Sequence, residues 1–193
     1  MTNQTAADKH ALRGRIRAAR AVMPPTGREG AATAIARRGS DLLARTGART
    51  IACYLSAPTE PPTHALIAAA RAAGIRVLLP ISGSNGILDW SDDDAAEVTI
   101  RLGVPETAGR PLGPDAIREA ELLFIPAAAV DPRGMRMGWG RGYYDRALAR
   151  VDSRRPVYAV LYDAEVVDRV PHEAHDVPVT GAVTPTHTLS FDR

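Results

Sequence analysis

The chain has 193 residues, a formal net charge of +2 at pH 7 and a single cysteine, which suits one domain over residues 1–193 and excludes a disulfide framework. Its basic residues are scattered without interleaved aromatics, which argues against a nucleic-acid surface and favours a small anionic ligand. No apolar run approaches the ~20 residues of a membrane span, and the polar start is no signal peptide, so we expect a cytoplasmic protein without a membrane partner.

The first half of the chain predicts alternating helices and strands. Hydrophobic spacing predicts helices over residues 7–23, about 28–44 and 64–73. Apolar runs predict strands over residues 50–55 and 75–80. Thr63 can cap the third helix, and Gly74 can end it. Because strands and helices alternate, the pattern indicates a mostly parallel sheet that is flanked by helices. Cys53 lies inside the first of these strands, which predicts a buried core thiol.

The second half begins less regularly. Residues 87–90 predict a short strand, and residues 91–98 predict a polar turn or a helical piece. Residues 103–115 contain three prolines and three glycines, which predicts a long surface loop. Further strands are predicted over residues 121–130 and 156–162 and near residues 182–184, with a helix that begins at Tyr143.

A glycine-rich segment lies between the strand that ends at residue 130 and the helix that begins at Tyr143. Residues 131–146 read DPRGMRMGWGRGYYDR. Backbone N–H groups and a helix dipole at such a place can face an anion, and the missing Cβ atoms allow close approach. The spacing matches neither a P-loop nor a dinucleotide fingerprint. Because Arg136 and Arg141 can neutralise phosphate oxygens, we interpret the segment as a phosphate-binding loop, with a tight structural turn as the alternative.

Two charged residues outside the glycines also fit a phosphate site. Lys9 is the only lysine among 24 basic residues. A lysine reaches a phosphate as a compact point charge on a flexible stem, although a solvated lysine on a helix face is the alternative. Asp145 follows the glycines at the start of the predicted helix. Its carboxylate either stabilises the helix dipole or holds Mg²⁺ beside bound phosphates.

These residues together resemble the 5-formyltetrahydrofolate cyclo-ligase family. The resemblance rests on LLFIPAAAVDPRGMRMGWGRGYYDRALA, on VPHEAHDVPV and on the K-x-x-x-R spacing of Lys9 and Arg13, and it covers nearly the whole chain in the same order. It implies a three-layer, Rossmann-like α/β sandwich. It also implies the ATP- and Mg²⁺-dependent cyclisation of 5-formyltetrahydrofolate to 5,10-methenyltetrahydrofolate, with release of ADP and phosphate. We expect a monomer whose partners are these small molecules.

The resemblance implies the following roles for the residues of this chain. ATP contacts are implied for Lys9, Arg13, Arg136, Met137, Gly138, Trp139, Gly140, Arg141, Gly142, Tyr143 and Tyr144. Folate contacts are implied for Leu55, Glu60, Trp139, Gly140, Arg141, Gly142 and Tyr143. Catalytic roles are implied for Lys9, Arg136 and Tyr143, and magnesium ligation is implied for Asp145 and Asp176.

The chain departs from the family pattern at a few positions. Trp139 replaces a residue that is often arginine or tyrosine, which can change how the pterin or the adenine is held. The family prefers proline directly after the position of Glu106, but this chain has Thr107 there. The family usually has glycine directly after the position of Pro126, but residues 127–129 of this chain are all alanine.

Two other functional classes remain open on the residues alone. A non-ligase enzyme of related α/β topology, such as a phosphosugar isomerase or a CoA transferase, would need its own carboxylate base or nucleophile and would not depend on ATP. A nonenzymatic nucleotide-binding module would show salt-dependent binding to polynucleotides.

Overall fold

The computed structural model describes residues 2–83, 86–92, 98–101, 103–173 and 176–191. Its helices are α1 (Thr2–Ala21), α2 (Pro25–Thr46), α3 (His64–Ala72) and α4 (Tyr143–Leu148), with 3-10 helices at Pro114–Glu119 and Asp163–Glu165. Its strands are β1 (Thr50–Ala52), β2 (Arg76–Ser82), β3 (Leu88–Ser91), β4 (Val98–Arg101), β5 (Val104–Thr107), β6 (Leu122–Pro126), β7 (Ala129–Val130), β8 (Arg136–Met137), β9 (Val157–Val160), β10 (Gly181–Val183) and β11 (Thr188–Ser190). Within these ranges, no helix has the length and apolar character that crossing a membrane requires.

Seven strands form the central sheet in the order β11-β10-β9-β6-β1-β2-β3. The inner pairs are parallel, and β1 places Ile51 beside Val77 of β2 on one side and Leu122 of β6 on the other. The edge strands β3 and β11 pair antiparallel to their neighbours. The inner strands are buried on both faces, which explains why they read as continuous apolar runs in the sequence. The predicted, mostly parallel sheet is confirmed.

Helices cover both faces of this sheet. On one face, Ile35 of α2 and Leu66 of α3 pack on Ile51. On the other face, Ala52 packs with Ile117 of the first 3-10 helix and with Leu148 of α4. Successive residues of β1 thus enter different cores, as a pleated strand requires. The predicted three-layer α/β sandwich is confirmed.

Cys53 directly follows β1 and is 1% exposed, so the prediction of a buried core thiol is confirmed. Burial raises the pKa of this thiol to about 12. The thiol therefore stays protonated at neutral pH, and a structural rather than a reactive role follows.

The prediction of a loop over residues 103–115 is wrong in its first part. β5 pairs antiparallel with β4, and Gly103 turns between them with a φ of 79°. Pro105 made the segment look like a loop in the sequence. Proline is tolerated in this strand because the hairpin forms a separate two-stranded sheet with open edges. Residues 93–97 of the predicted polar turn lie outside the described residues.

The segment between β1 and α3 also differs from expectation. The predicted strand ends at Ala52, and Thr63 does not cap α3 with its side chain. Instead the Thr63 hydroxyl donates to the Tyr54 carbonyl at 2.5 Å, and the Thr63 N–H donates to the Ser56 hydroxyl at 3.2 Å. These bonds draw the two ends of the segment together. The loop between them, which contains Glu60, is thereby held over the carboxyl end of β1.

The first testable prediction concerns the contact between α2 and α3. A Cβ added at Gly39 would lie 2.5 Å from Cδ1 of the buried Leu66, whereas one added at Gly30 of the same helix would meet nothing within 4 Å. We expect Gly39→Ala to lower the free energy of unfolding, because overpacking by about 1–3 kcal/mol exceeds a helix-propensity gain of about 0.5–1 kcal/mol.

Gly30→Ala is the matched control, and it should raise stability by the propensity gain alone. Urea denaturation of both variants measures the difference. Equal stabilisation of the two variants would mean that Leu66 moves aside freely and that the contact between α2 and α3 is loose.

Candidate active site

The glycine-rich segment begins as a tight hairpin. β7 and β8 pair antiparallel, and the fully buried Asp131 accepts hydrogen bonds from the N–H groups of Arg133 (3.0 Å), Met135 (3.2 Å) and Val170 (3.0 Å). Although burial opposes ionisation, these bonds and the Arg133 guanidinium lower the pKa of Asp131. Asp131 is therefore the residue that organises the hairpin.

This hairpin corrects the sequence-based view of the loop. The glycine loop does not follow the strand directly, because β7 and β8 come first and only residues 138–142 connect β8 to α4. Gly140 and Gly142 have φ values of 90° and 68°. Residues with a Cβ adopt such angles only with strain, so the glycines are needed for the path of the chain itself.

The glycine loop, residues 138–142, separates two cavities. A polar cavity of about 250 Å³ lies on the side of α1, and an apolar cavity of about 150 Å³ lies on the side of β2 and β5. Gly138, Gly140 and Gly142 line both cavities, as do Arg136 and Asp145.

Each residue that the sequence analysis assigned to the site lines at least one of these cavities. The polar cavity takes Lys9, Arg13, Arg136, Met137, Gly138, Gly140, Gly142, Asp145 and Asp176. The apolar cavity takes Leu55, Glu60, Arg136, Gly138, Trp139, Gly140, Arg141, Gly142, Tyr143, Tyr144 and Asp145. The fold therefore brings together residues that are up to 167 positions apart in the chain.

Two side chains of α1 reach into the polar cavity. Lys9 is not a solvated lysine, because its side chain is 13% exposed and its Nζ donates to Oδ2 of Asp176 at 2.7 Å. Glu173 lies at 3.5 Å from the same Nζ. Arg13 donates from Nε to the carbonyl of Gly138 at 2.8 Å. The first helix thus contacts both the acidic side of the polar cavity and the glycine loop.

Arg136 and Asp145 form an ion pair between the two cavities. The Arg136 side chain is 2% exposed, and its Nε has no hydrogen-bond partner among the described residues. A buried donor without a partner is unfavourable unless a ligand or water completes it. The arrangement indicates that Arg136 meets a bound molecule at the boundary of the two cavities.

Asp145 and Asp176, the predicted magnesium ligands, line the same polar cavity. Each carboxylate is engaged by a cation, Asp145 by Arg136 and Asp176 by Lys9. In the described part of the chain, no group of three or more His, Cys, Asp or Glu side chains is arranged to hold a metal. The assignment of these two residues to magnesium therefore stays a prediction.

Glu60 projects from the loop between β1 and α3 toward the apolar cavity. Its Oε2 accepts the Ala57 N–H at 2.9 Å, and its carbonyl accepts the Tyr162 hydroxyl at 3.2 Å. Burial raises the pKa of Glu60, although the Ala57 N–H and the charge of Arg20 oppose this. Tyr143, which also lines the apolar cavity, donates its hydroxyl to the carbonyl of Gly83 at 3.2 Å.

The sequence analysis did not place Glu106 in the site. Glu106 lies on β5, is 4% exposed and lines the apolar cavity near Tyr144. Burial raises the pKa of Tyr144, and the Glu106 carboxylate adds to the effect. The alternation of side chains along residues 98–107 could have revealed β4 and β5, had the proline and glycine content not suggested a loop.

The indole ring of Trp139 forms cation–π contacts with the guanidinium groups of two arginines. Arg20 lies 5.0 Å and Arg17 lies 5.7 Å from the centre of the indole ring. Arg20 is 2% exposed and forms a two-bond ion pair with Glu165, at 2.6 and 2.8 Å. It also donates to the carbonyl of Ala127 at 2.9 Å. Arg20, which the sequence analysis missed, therefore supports the residue at which this chain departs from the family pattern.

The second prediction distinguishes the contribution of Arg20 to stability from that of Arg17. Arg20→Met should lower the free energy of unfolding by about 3–5 kcal/mol, because it leaves the buried Glu165 charge without its partner. Arg17→Met, the matched control, removes an exposed cation from the same ring and should change stability by about 1 kcal/mol or less. Urea denaturation followed by tryptophan fluorescence measures both. Equal losses would assign the effect to the ring contact instead of the ion pair.

The chain is similar in sequence to known proteins of one family. The sequence profile described as the 5-formyltetrahydrofolate cyclo-ligase family matches residues 5–185. A 5-formyltetrahydrofolate cyclo-ligase from Mycolicibacterium smegmatis is 35% identical, over 92% of this chain and 93% of that protein. An Escherichia coli protein of the same name is 30% identical, over 72% of this chain and 79% of that protein.

A solved structure shares the fold. The NMR structure of the Aquifex aeolicus 5,10-methenyltetrahydrofolate synthetase superposes with a TM-score of 0.78 at 23% identity, and the match covers 96% of this chain and 93% of that chain. The profile spans most of the chain, and two relatives share at least 30% of their aligned residues with it over more than two thirds of its length. The chain belongs to the 5-formyltetrahydrofolate cyclo-ligase family.

Proposed function

We propose that the protein catalyses the ATP-dependent cyclisation of 5-formyltetrahydrofolate to 5,10-methenyltetrahydrofolate, with release of ADP and phosphate. The observation that carries the proposal is the pair of cavities, one polar and one apolar, that share the glycine loop as their common boundary. Family membership supports the reaction over the isomerase, transferase and nonenzymatic alternatives. We further propose a cytoplasmic monomer whose partners are these small molecules, without a nucleic-acid or membrane partner.

The polar cavity suits the phosphates of ATP. Lys9, Arg13 and Arg136 supply cationic donors, and the glycine loop allows the backbone to approach closely. Lys9 and Arg136 are paired with carboxylates in the free protein, so these cations exchange or share their partners when phosphates arrive. Positioning and charge compensation of this kind are what phosphoryl-transfer sites supply.

The apolar cavity suits the pterin of the folate. In the proposed reaction, the formyl oxygen attacks the γ-phosphorus of ATP, and the bond to the ADP oxygen breaks. N10 then adds to the activated formyl carbon and loses its proton, and the carbon–oxygen bond to phosphate breaks. Leu55 and Glu60 would hold the folate, and Tyr143 would orient the formyl group beside the shared loop. The protein thereby fixes both reactants at the short distance that the first step needs.

Magnesium fits the two carboxylates of the polar cavity. The ion typically takes one or two protein carboxylates when phosphates provide its other ligands, so Asp145 and Asp176 suffice. When bound, it would neutralise phosphate oxygens and help ADP to leave. Asp145 and Asp176 would hold it, directly or through water.

The proposal is tested by following the methenyl absorbance after 5-formyltetrahydrofolate, ATP and MgCl₂ are added to the protein. We expect absorbance to grow with time only when the protein and ATP are both present, with one ADP formed per product. No signal above the sample without protein would overturn the proposed function. A signal that needs no ATP would favour an enzyme of the isomerase or transferase type.

The third prediction concerns Lys9. Lys9→Met should lower kcat/KM by about 30- to 1,000-fold, or about 2–4 kcal/mol, because charge stabilisation of the transferring phosphoryl group is lost. Arg15→Met is the matched control, since Arg15 is an exposed cation on the same helix outside both cavities. Steady-state kinetics with thermal unfolding measures the effect. Unchanged kinetics for Lys9→Met would leave the lysine as a structural partner of Asp176.

The fourth prediction concerns Asp145. Asp145→Asn keeps the shape of the side chain and removes its charge, so we expect a large loss of activity and a higher magnesium concentration at half-maximal rate. Asp115→Asn is the control, because Asp115 is an exposed carboxylate that pairs with Arg118 and Arg150 away from the cavities. Magnesium titrations of the initial rate measure the difference.

Asp145→Asn also removes the partner of the buried Arg136, so thermal unfolding is measured beside activity. Full activity at the wild-type magnesium requirement, together with a lowered unfolding temperature, would show that Asp145 serves only Arg136. The predicted magnesium role would then be wrong.

A further inference from the structure

Glu106 is a buried residue whose carboxylate has no partner in the described part of the chain. Only 4% of the residue is exposed, and it lines the apolar cavity beside Val104 and Pro105. Among the described residues, no hydrogen bond or ion pair engages its carboxylate, whereas the Thr99 hydroxyl bonds to its carbonyl at 3.4 Å. A mostly buried carboxylate that lacks protein donors is less well satisfied than one that has them. Such a group indicates a ligand that brings hydrogen-bond donors.

Two arginines, Arg136 and Arg141, line the cavity with Glu106, and neither forms an ion pair with it among the described residues. Arg136 lines the same cavity but pairs with Asp145. Glu60, the other glutamate of this cavity, differs because its Oε2 accepts the Ala57 N–H at 2.9 Å. Both oxygens of Glu106 are therefore available to a ligand within the described structure. A carboxylate in this state accepts two parallel hydrogen bonds from adjacent donors.

We infer that Glu106 binds the pterin ring of the folate by accepting hydrogen bonds from its 2-amino group and from the adjacent ring N–H. The inference rests on the proposed function, which supplies a pterin to the apolar cavity. A pterin presents two neighbouring donors at this edge. Adenine presents its amino group beside a ring nitrogen that is an acceptor, which would repel the second carboxylate oxygen. Glu106 also lines only the apolar cavity, whereas Lys9 and Arg13 line only the polar one.

The test is Glu106→Gln, which keeps the shape of the side chain but turns one acceptor into a donor. The dissociation constant of 5-formyltetrahydrofolate, measured by calorimetry without ATP so that no turnover occurs, should rise by about 10- to 100-fold. The dissociation constant of ATP should change by less than about twofold. The unfolding temperature of the free variant should not fall below that of the wild type, because no protein hydrogen bond to the carboxylate is lost. Glu119→Gln, which changes an exposed glutamate paired with Arg76, is the control and should change neither constant.

A substrate analogue gives a second measurement. In 2-desamino-2-methyl-5-formyltetrahydrofolate the 2-amino donor is absent, so the wild type should bind this analogue about 10-fold or more weakly than the substrate. Glu106→Gln should bind the analogue and the substrate within about threefold of each other. Loss of discrimination in the variant alone would locate the 2-amino group at Glu106.

The inference would be overturned by wild-type affinity for the folate in Glu106→Gln, or by discrimination against the analogue that persists in the variant. A lower unfolding temperature with equal weakening of folate and ATP would also overturn it, because the glutamate would then be structural. Any of these results for the variant leaves the proposed function intact, provided that the wild type binds the folate and forms the methenyl product. If the wild type does neither, the proposed function and the inference are both overturned.

Discussion

The buried ion pair of Arg20 and Glu165 connects the parts of the molecule on which the candidate site depends. Arg20 comes from α1, and Glu165 lies in the 3-10 helix that follows β9. The same guanidinium bonds the chain after β6 and lies under both Trp139 and Tyr162. One cation thus joins the first helix to two strand ends and to Trp139, which lines the apolar cavity.

The carboxyl ends of the central strands explain why the site forms where it does. β1, β6 and β9 are parallel neighbours, so the segments that follow them emerge at one edge of the sheet. The first carries Glu60, the second leads to the glycine loop, and the third carries Glu165. Ligands of open α/β sheets characteristically bind at this edge. The hairpin of β4 and β5 adds Glu106 to the same cavity, although it belongs to a separate small sheet.

Sequence reasoning predicted the features that have a local cause. Hydrophobic spacing located the helices and the inner strands, and the density of glycines located the loop. It failed where distant contacts decide the outcome. Pro105 and Gly103 made a hairpin read as a loop, and Thr63, which follows two prolines like a helix cap, bonds to Tyr54 instead. Arg20 could not be singled out in a chain with 24 basic residues, because its partner lies 145 positions away.

The polar cavity is electrically balanced before any ligand arrives. Of the residues that the structure describes, three basic and three acidic side chains line it, namely Lys9, Arg13, Arg136, Asp145, Glu173 and Asp176. Their formal charges cancel, so the cavity has little net attraction for a free polyanion. On the proposed function, a nucleotide whose charge is already reduced by a divalent cation would enter with less repulsion from these carboxylates than the metal-free form. The balance of charges would then favour binding of the metal-bound nucleotide over the metal-free one.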